Sequence, residues 1–378
     1  MINANLILNL VKELEWQDVL ALMDEKKIKV KVKGDLAIFN YNIGADFSDP
    51  VVCQARGIII DTKNQKVVCR GFDKFFNFSE PYASSIDWNS AKVQEKIDGS
   101  IIKLYKYDGY WRWATNGMID SFDADVADGL PVTSFEGIIM KCVNYRDILY
   151  RLNSLDENNT YIFELVSPYN RVVISYKEPK LYHIGTRNNL TGQEYDIDIG
   201  IKKPKKYPLN TLDECIMAAS VLNKDQNNID AEGFVVVDKH FNRVKIKSPE
   251  YVYLHHNLNN HTLSIKRIIE LMENEDFNID SFLKEFPEYQ ERFDKIRGTI
   301  KDFYKECRRV MTGAREMYAK NGNRRVVFET FGVNKDIGFA AMMAVGNDIP
   351  YEELEKRIDK KKVLLYVSNK LKDCMDEE

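Results

Sequence analysis

Short runs in which hydrophobic and polar residues alternate fill most of residues 28–250, and tight turns separate these runs. Alternation with a period of two is the pattern of a half-buried strand, and two such runs around a turn predict a β-hairpin. The predicted turns fall at Lys33-Gly34-Asp35, at Thr62 to Gln65, at Asp108-Gly109 and near His240. Helical stretches such as 133–154 interrupt the strands, and residues 1–16 have the pattern of an amphipathic helix. This mixture predicts an α+β domain with antiparallel sheets.

The pattern changes after Tyr251, where the spacing of apolar residues becomes helical. One seam repeats at intervals of three and four, which indicates a long helix packed on helical partners. Its members are Phe286, Tyr289, Phe293, Ile296, Ile300, Phe303, Cys307 and Val310. Pro287 suits the first turn of this helix, and residues 349–371 predict another helix that begins near Pro350. We therefore predict an α+β domain over residues 1–258 and an α-helical domain over residues 259–378.

The stretch QEKIDGS, residues 94–100, places a single lysine between two predicted strands. Asp98 and Gly99 account for a tight turn, because both residue types favour turns, but a turn does not require Lys96. An exposed lysine beside such a turn is common. The short pattern alone is therefore a weak signal of function.

Further charged residues follow Lys96 in a regular order along the chain. Glu164 lies within an apolar strand pattern 68 residues later, and Glu232 heads another strand after 68 more. Lys245 and Lys247 share one face of the strand that follows. Each of these residues alone would be an ordinary solvated strand end, but together they suit nucleotidyl transfer through a covalently modified lysine.

The chemistry explains why each type of residue is needed. A lysine must be neutral to attack an α-phosphate, and at an ordinary pKa near 10.4 only about one molecule in a few thousand is neutral at pH 7. A neighbouring cation, either a metal ion or a second lysine, would lower the pKa of Lys96. Glu164 and Glu232 could hold a divalent ion directly or through its waters.

The remaining residues could contact the nucleotide. Lys245 and Lys247 could neutralise an α-phosphate as negative charge builds there. Asp98 could accept a hydrogen bond from a ribose hydroxyl. Gly99 has no side chain, so it allows the close backbone approach that such a pocket needs.

The order K-x-D-G-S, F-E, E-G-F-V-V and V-K-I-K resembles the covalent nucleotidyltransferase superfamily of ATP-dependent ligases and mRNA capping enzymes. It resembles more closely the T-even bacteriophage type of tRNA-repair RNA ligase, over about residues 40 to 378 and most strongly from 53 to 256. The resemblance implies that Lys96 forms the lysyl-AMP. It also implies that Glu164 and Glu232 contact the ribose or the metal, and that Lys245 and Lys247 contact the phosphates.

Two stretches ahead of the lysine extend the resemblance. ARGIII contains Arg56 and DKFFNFSEP contains Lys74, which by resemblance clamp the β- and γ-phosphates of ATP. Glu95 and Asn116 complete the expected ATP-binding set. The phage type has a lysine at the position of Asn116, and asparagine supplies hydrogen bonds but no charge. The step served by that lysine is therefore expected to be weaker here or to be served by another base.

The resemblance implies an ATP-dependent RNA ligase that joins 5′-phosphate and 3′-hydroxyl ends through lysyl-AMP and RNA-adenylate intermediates. ATP and Mg²⁺, or Mn²⁺ as a substitute, are the implied cofactors, and the implied substrate is a tRNA with a broken anticodon loop. A DNA ligase or capping-type guanylyltransferase is an alternative, although those enzymes typically append an OB-fold where this chain turns helical. A non-catalytic RNA-binding relative is another, but every catalytic position named above carries a competent residue.

Composition limits the kind of nucleic-acid site and the cellular compartment that we predict. The net charge of −4 excludes a generally basic nucleic-acid coat, so a polyanion site must be local. The run Lys202, Lys203, Lys205 and Lys206 is either such a site or a solvated loop. Six scattered cysteines without a CxxC pair favour a reducing cytoplasm, that of the host for a viral protein. No apolar run approaches the roughly 20 residues of a membrane span, and no protein partner is indicated.

Overall fold

The computed structural model describes most of the 378-residue chain. The described ranges are 5–126, 130–223, 230–252, 264–273, 279–332, 337–347 and 349–375. The chain divides into two compact units, Met1–His261 and Thr262–Glu378. Among the described residues, no helix combines the length and the hydropathy that crossing a bilayer requires.

The first sheet is an antiparallel meander whose strands follow one another along the chain. They are β1 (Ile28–Lys33), β2 (Leu36–Tyr41), β3 (Arg56–Asp61) and β4 (Lys66–Cys69). Three helices add apolar side chains to the core on one face, namely α1 (Leu6–Glu13), α2 (Trp16–Glu25) and α3 (Pro50–Gln54). Ile7 and Val11 of α1 pack in this core with Phe39 and Ile58, which confirms the predicted amphipathic helix.

The second sheet has five antiparallel strands in the order β11-β10-β9-β7-β8. They are β7 (Ser100–Tyr107), β8 (Tyr110–Thr115), β9 (Asn159–Val166), β10 (Lys180–Asn188) and β11 (Glu194–Tyr195). Helices α4 (Phe135–Met140) and α5 (Tyr145–Arg151) contribute Ile138 and Ile148 to a core with Phe163. On the other face, Tyr105 packs with Ile59 of the first sheet. The central strand β9 is therefore buried along its whole length.

The third sheet has the order β12-β6-β13-β14-β5, with one parallel pair, β14 and β5. Its strands are β5 (Phe76–Asn77), β6 (Lys92–Glu95), β12 (Lys206–Tyr207), β13 (Gly233–Val237) and β14 (Arg243–Lys247). Helix α6 (Leu212–Ala219) packs on the face that carries Phe234 and Ile246. Because side chains alternate along a strand, Val235, Lys245 and Lys247 point to the opposite face.

These sheets confirm the predicted fold class, with antiparallel sheets in the first unit and helices in the second. Each predicted hairpin is present, and the helical stretch at 133–154 corresponds to α4 and α5. The turn residues explain the agreement. Asp108 and Gly109 both have positive φ, +53° and +77°, as a two-residue turn of the type I′ class requires.

A buried charge cluster fixes the segment between β4 and β5. Arg187 of β10 holds both carboxylate oxygens of Asp73 at 2.9 Å, and its guanidinium also donates to the carbonyl of Gly71 at 2.8 Å. Arg70 is 2% exposed and lies within 3.5 Å of the same carboxylate. The backbone carbonyl of Asp73 in turn accepts from Arg56 at 3.4 Å. This cluster anchors the loop that carries Lys74 and its neighbours.

The described part of the second unit is helical throughout its regular structure. Its helices are α7 (Ile265–Glu273), α8 (Ile279–Glu285), α9 (Gln290–Asn321), α10 (Arg324–Phe331), α11 (Phe339–Ala341), α12 (Leu354–Arg357) and α13 (Lys360–Met375). Phe293, Ile296, Phe303 and Cys307 of α9 are buried, which confirms this part of the predicted seam. Phe286 and Tyr289 precede the helix, and Ile300 and Val310 are only half-buried. The helix ends at Gly322, whose φ of +64° forms a left-handed cap.

Two details of the second unit differ from prediction. Pro287 does not lie in the first turn of the long helix; it begins a 3₁₀ turn, Pro287–Tyr289, just before α9. The single helix predicted over 349–371 is divided into α12 and α13, because the side chain of Asp359 accepts from the backbone N–H of Lys361 and starts a new helix. The predicted boundary between residues 258 and 259 lies outside the described residues.

Candidate active site

The ends of three neighbouring strands bring distant charged residues together. Lys96 follows β6, Glu232 precedes β13 and Lys247 ends β14. The strand register places Gly233 opposite Lys247, and the backbone N–H of Lys96 donates to the carbonyl of Gly233 at 2.8 Å. Antiparallel pairing therefore makes neighbours of residues that are more than a hundred positions apart in the sequence.

Glu232 is the centre of this group. Its Oε2 accepts from Lys96 Nζ at 2.7 Å, and its Oε1 lies 2.9 Å from Lys247 Nζ. The carboxylate is almost fully buried, while both lysine side chains remain about one-fifth exposed. Although burial raises the pKa of Glu232, the two ammonium groups outweigh it and lower that pKa overall. The carboxylate is therefore a charged bridge between two lysines.

The charge environment of Lys96 differs from the expectation. Burial alone would lower the pKa of Lys96, but the charges of Glu232 and Glu164 outweigh it and raise that pKa. The lowering expected from a second lysine is therefore wrong for this set of side chains, because Lys247 lies against the other oxygen of Glu232. The neighbouring carboxylates thus favour the charged form of Lys96.

Glu164 reaches the same place from the second sheet. It lies on β9 opposite Ile101 and lines the cavity next to Lys96. Burial raises its pKa to about 8, and the charge of Lys96 only partly opposes this. Among the described residues its carboxyl group has no hydrogen-bonded partner, so it is available to a ligand.

Asp98 is placed differently from the other predicted residues. It is 3% exposed, and Oδ2 accepts from the backbone N–H groups of Val173 and Ile174 at 2.9 and 2.7 Å. Oδ1 accepts from the hydroxyl of Tyr251 at 2.7 Å. These bonds make Asp98 an anchor for two other segments behind Lys96. A contact with a ribose hydroxyl stays a prediction, and this geometry favours a supporting role.

Two cations share one aromatic ring in the cavity. The Arg56 guanidinium lies 5.1 Å and Lys245 Nζ 5.2 Å from the centroid of the Phe75 ring. Burial, followed by the charges of Lys74 and other cations, lowers the pKa of Lys245 to about 7. The sequence analysis did not single out Phe75, although the stretch DKFFNFSEP contains it.

Lys74 stands in an aromatic cage. Its Nζ lies 5.5, 4.9 and 5.4 Å from the ring centroids of Tyr41, Phe47 and Phe76. Its backbone N–H donates to the carbonyl of Cys53 at 2.7 Å. The cage holds the ammonium of Lys74 near Lys245. A contact between Lys74 and the phosphates of ATP stays a prediction.

A single cavity of about 500 Å³ collects most of the predicted residues. Those that line it are Arg56, Glu95, Lys96, Asn116, Glu164, Lys245 and Lys247, whereas Lys74, Asp98 and Glu232 stand behind its wall. Apolar side chains also line it, among them Phe72, Ile184 and Val237, and the Arg243 guanidinium covers the Phe72 ring at 4.1 Å. These apolar residues were not predicted, because they come from segments that are distant in the sequence.

The nucleotidyltransferase fold of the ATP-dependent ligases combines such antiparallel sheets with a lysine at a strand end beside acidic and basic residues. The chain belongs to the RNA ligase family of the T-even phage type, which matches residues 54–251. The match covers every predicted site residue.

Individual relatives are consistent with this family. The RNA ligase of Rhodothermus phage RM378 is 28% identical over 338 residues, 73% of this chain and 75% of its own. A protein of Autographa californica nuclear polyhedrosis virus named as a bifunctional polynucleotide kinase/RNA ligase is 35% identical over 259 residues, 62% of this chain; the chain spans only 36% of that protein's length. A solved archaeal ATP-dependent RNA ligase aligns with 80% of this chain and 83% of its own at 12% identity, with a TM-score of 0.46.

The glycine between Glu232 and the rest of β13 is expected to be irreplaceable. Gly233 has a φ of +141°, and a Cβ there would lie 2.2 Å from the carbonyl oxygen of Ile246. We expect Gly233→Ala to lower the free energy of unfolding by about 2–4 kcal/mol, through backbone strain and overpacking. Urea denaturation followed by tryptophan fluorescence measures this, because all four tryptophans lie in the first unit.

Gly109→Ala is the matched control. Gly109 also has a positive φ, +77°, but nothing lies within 4 Å of its Cβ position. It should cost only about 1 kcal/mol, the conformational part alone. Equal losses in the two variants would show that the close approach of the strands at Glu232 is not a constraint.

Proposed function

We propose that this chain is an ATP-dependent RNA ligase that joins a 5′-phosphate end to a 3′-hydroxyl end through lysyl-AMP and RNA-adenylate. The observation that carries the proposal is that Lys96 lines the cavity and is hydrogen-bonded to the carboxylate that also holds Lys247. Membership of the RNA ligase family supports RNA ends as the substrate rather than DNA ends or a cap.

The cavity is suited to ATP. Its volume of about 500 Å³ lies within the range of small-molecule sites. Apolar lining residues such as Phe72 and Val237 can receive the base, and the cations Arg56, Lys245 and Lys247 can receive the phosphates. Arg56 and Lys245 lie against the same Phe75 ring, so both are close enough together to contact one phosphate chain.

The first step needs a neutral amine. As the α-phosphate approaches, Lys96 is released from Glu232, loses its proton to solvent and attacks phosphorus. An N–P bond forms, the P–O bond to the leaving group breaks, and pyrophosphate departs. Lys245 and Lys247 stabilise the charge on the α-phosphate oxygens. AMP then passes to the 5′-phosphate of one RNA end, and the 3′-hydroxyl of another end displaces AMP and seals the strand.

A divalent ion, Mg²⁺ or Mn²⁺, fits this site as a partner of the phosphates. Mg²⁺ is usually bound by one or two carboxylates together with substrate phosphates. Glu164 suits that role because it lines the cavity and has no hydrogen-bonded partner in the described structure. Glu232 suits it less well, since both of its oxygens are engaged by lysines. Within the described ranges no three His, Cys, Asp or Glu side chains converge.

When bound, the ion would add positive charge beside the phosphates and release Lys96 from its carboxylates.

The described cysteines are all free thiols. We therefore place the activity in a reducing cytoplasm, which is that of the host if the protein is viral.

Lys96→Ala is expected to abolish both labelling of the protein and RNA joining, because the amine that forms the N–P bond is gone. ATP should still bind, since Arg56, Lys245 and Lys247 remain. Incubation with α-³²P-ATP followed by denaturing electrophoresis measures the adduct. Lys92→Ala, which removes an exposed lysine of the same strand paired with Asp196, should label normally. A labelled Lys96→Ala protein would place the nucleophile elsewhere.

Glu232→Gln keeps the size of the side chain but removes the charge that the two lysines share. We expect adduct formation to slow by at least about a hundredfold, the effect of losing one electrostatic partner in a transition state. Rapid-quench labelling measures the rate. Glu157→Gln is the control, because Glu157 is exposed and pairs only with Lys106 at 2.6 Å. A rate within a few-fold of wild type would remove Glu232 from the mechanism.

We further propose that the substrate is a tRNA with a broken anticodon loop and that the second unit selects it. The second unit carries exposed basic residues on its helices, including Arg309 and Arg325, whose side chains are 81% and 85% exposed. The charged constellation of the first unit supplies every reacting group in this scheme, which leaves the second unit free for recognition.

A chain truncated after residue 261 should still form the adduct but lose its preference for a nicked anticodon stem-loop over unstructured RNA. The reason is that the reacting groups all lie in the first unit. Competition ligation with both RNAs at one salt concentration measures the preference, and circular dichroism checks that the truncated chain folds. An unchanged preference ratio would assign the selection to the first unit.

A further inference from the structure

The lysines of residues 202–206 are not equivalent. Lys203 lies 2.6 Å from Asp196, a carboxylate that also holds Lys92 at 2.8 Å. Lys202 and Lys205 are exposed and form no ion pair with a carboxylate of the described structure. Their ammonium groups are therefore not held by a carboxylate, although Glu95 and Glu178 lie near Tyr182.

These unpaired lysines rest on tyrosine rings. Lys202 Nζ lies 5.3 Å from the centroid of the Tyr182 ring, and Lys180 Nζ lies 5.9 Å from the same centroid. Lys205 Nζ lies 4.9 Å from the ring of Tyr207. Burial and then the neighbouring Glu95 raise the pKa of both tyrosines, so both hydroxyls stay uncharged near neutral pH.

The surface is continuous with the cavity. The backbone N–H of His183 donates to the carbonyl of Lys202 at 2.8 Å, and the backbone N–H of Glu95 donates to the carbonyl of Lys205 at the same distance. Pro204, between the two lysines, lines the cavity together with Glu95. The segment thus runs along the rim of the cavity, from β10 to the strand that ends at Lys96.

We propose that Lys180, Lys202 and Lys205, with Tyr182, bind the single-stranded RNA whose end enters the cavity; Tyr207 packs against Phe234 and is not part of this surface. The inference rests on the proposed ligase function. Lysines without carboxylate partners complement phosphates, and the chain as a whole has a net charge of −4, so attraction must be local.

The Tyr182 ring favours a single strand as the occupant. A cation on an exposed ring is held more weakly than a base stacked on that ring. A lysine can therefore move from the ring face to a phosphate and leave the face to a base. A duplex, whose bases are already stacked, could use the lysines but not the ring.

The test compares full-length variants in binding a 5′-phosphorylated single-stranded 12-nucleotide RNA. Fluorescence anisotropy without ATP gives Kd between 50 and 200 mM KCl. The double variant Lys202→Ala with Lys205→Ala should weaken binding about tenfold at the lowest salt. It should also reduce the slope of log Kd against log salt by roughly 1.4, since each single-strand phosphate contact contributes roughly 0.7. Tyr182→Leu should weaken binding about fivefold or more, with the slope unchanged.

Lys63→Ala with Lys66→Ala is the matched control, because both lysines are exposed, Lys63 after β3 and Lys66 at the start of β4, and the change in net charge is equal. An equal loss in this control, or no loss in the Lys202 and Lys205 variant, overturns the proposal. An equal loss for a blunt RNA hairpin with no loss for Tyr182→Leu would make the occupant a duplex and overturns it as well.

Labelling with α-³²P-ATP separates this inference from the proposed function. The surface variants should form the adduct at the wild-type rate, because none of their changed residues touches Lys96. If wild type itself forms no adduct, the ligase proposal fails while the binding comparison still decides the surface.

Discussion

The shared carboxylate of Glu232 is the interaction on which the rest of the site depends. A buried carboxylate is costly unless it is paired, and here two ammonium groups meet that requirement from adjacent strands. Both lysines owe their positions to the strand register that sets Gly233 beside Lys247. The geometry around Lys96 is thus a property of the third sheet as a whole, which explains why residues as far apart in the sequence as Lys96 and Lys247 meet.

Lys96 lies among both carboxylates and cations. Glu232 and Glu164 stand beside the amine, while Arg56 and Lys245 lie within about 5 Å of the same Phe75 ring. An anion bound at these cations would add negative charge close to Lys96. Such an anion would compete with Glu232 for the ammonium, so the two interactions are coupled through charge.

Local signals in the sequence predicted the local structure, whereas the contacts of the site residues depend on tertiary packing. Turn residues such as Asp108-Gly109 identify hairpins because few residues adopt positive φ. Motif spacing predicted that Lys96 and Glu232 meet, but it could not show that Glu232 uses both oxygens on lysines. The cage around Lys74 and the buried anchor at Asp98 were missed in the same way, since their partners come from segments distant in the sequence. The division of the helix at Asp359 depends on one cap that hydrophobic periodicity cannot detect.

The position of Asn116 shows how far a neighbouring residue can replace a missing charge. Lys103 is the buried lysine nearest to this point, since both its Nζ and the Asn116 carbonyl would crowd a Cβ on Gly57. Its ammonium donates to the Gly57 carbonyl, and burial lowers its pKa. Lys103 is fully buried and donates to a backbone carbonyl, so its ammonium is not presented to the cavity. A positive charge in place of the one that Asn116 lacks would have to come from residues that line the cavity, such as Arg56 and Lys245.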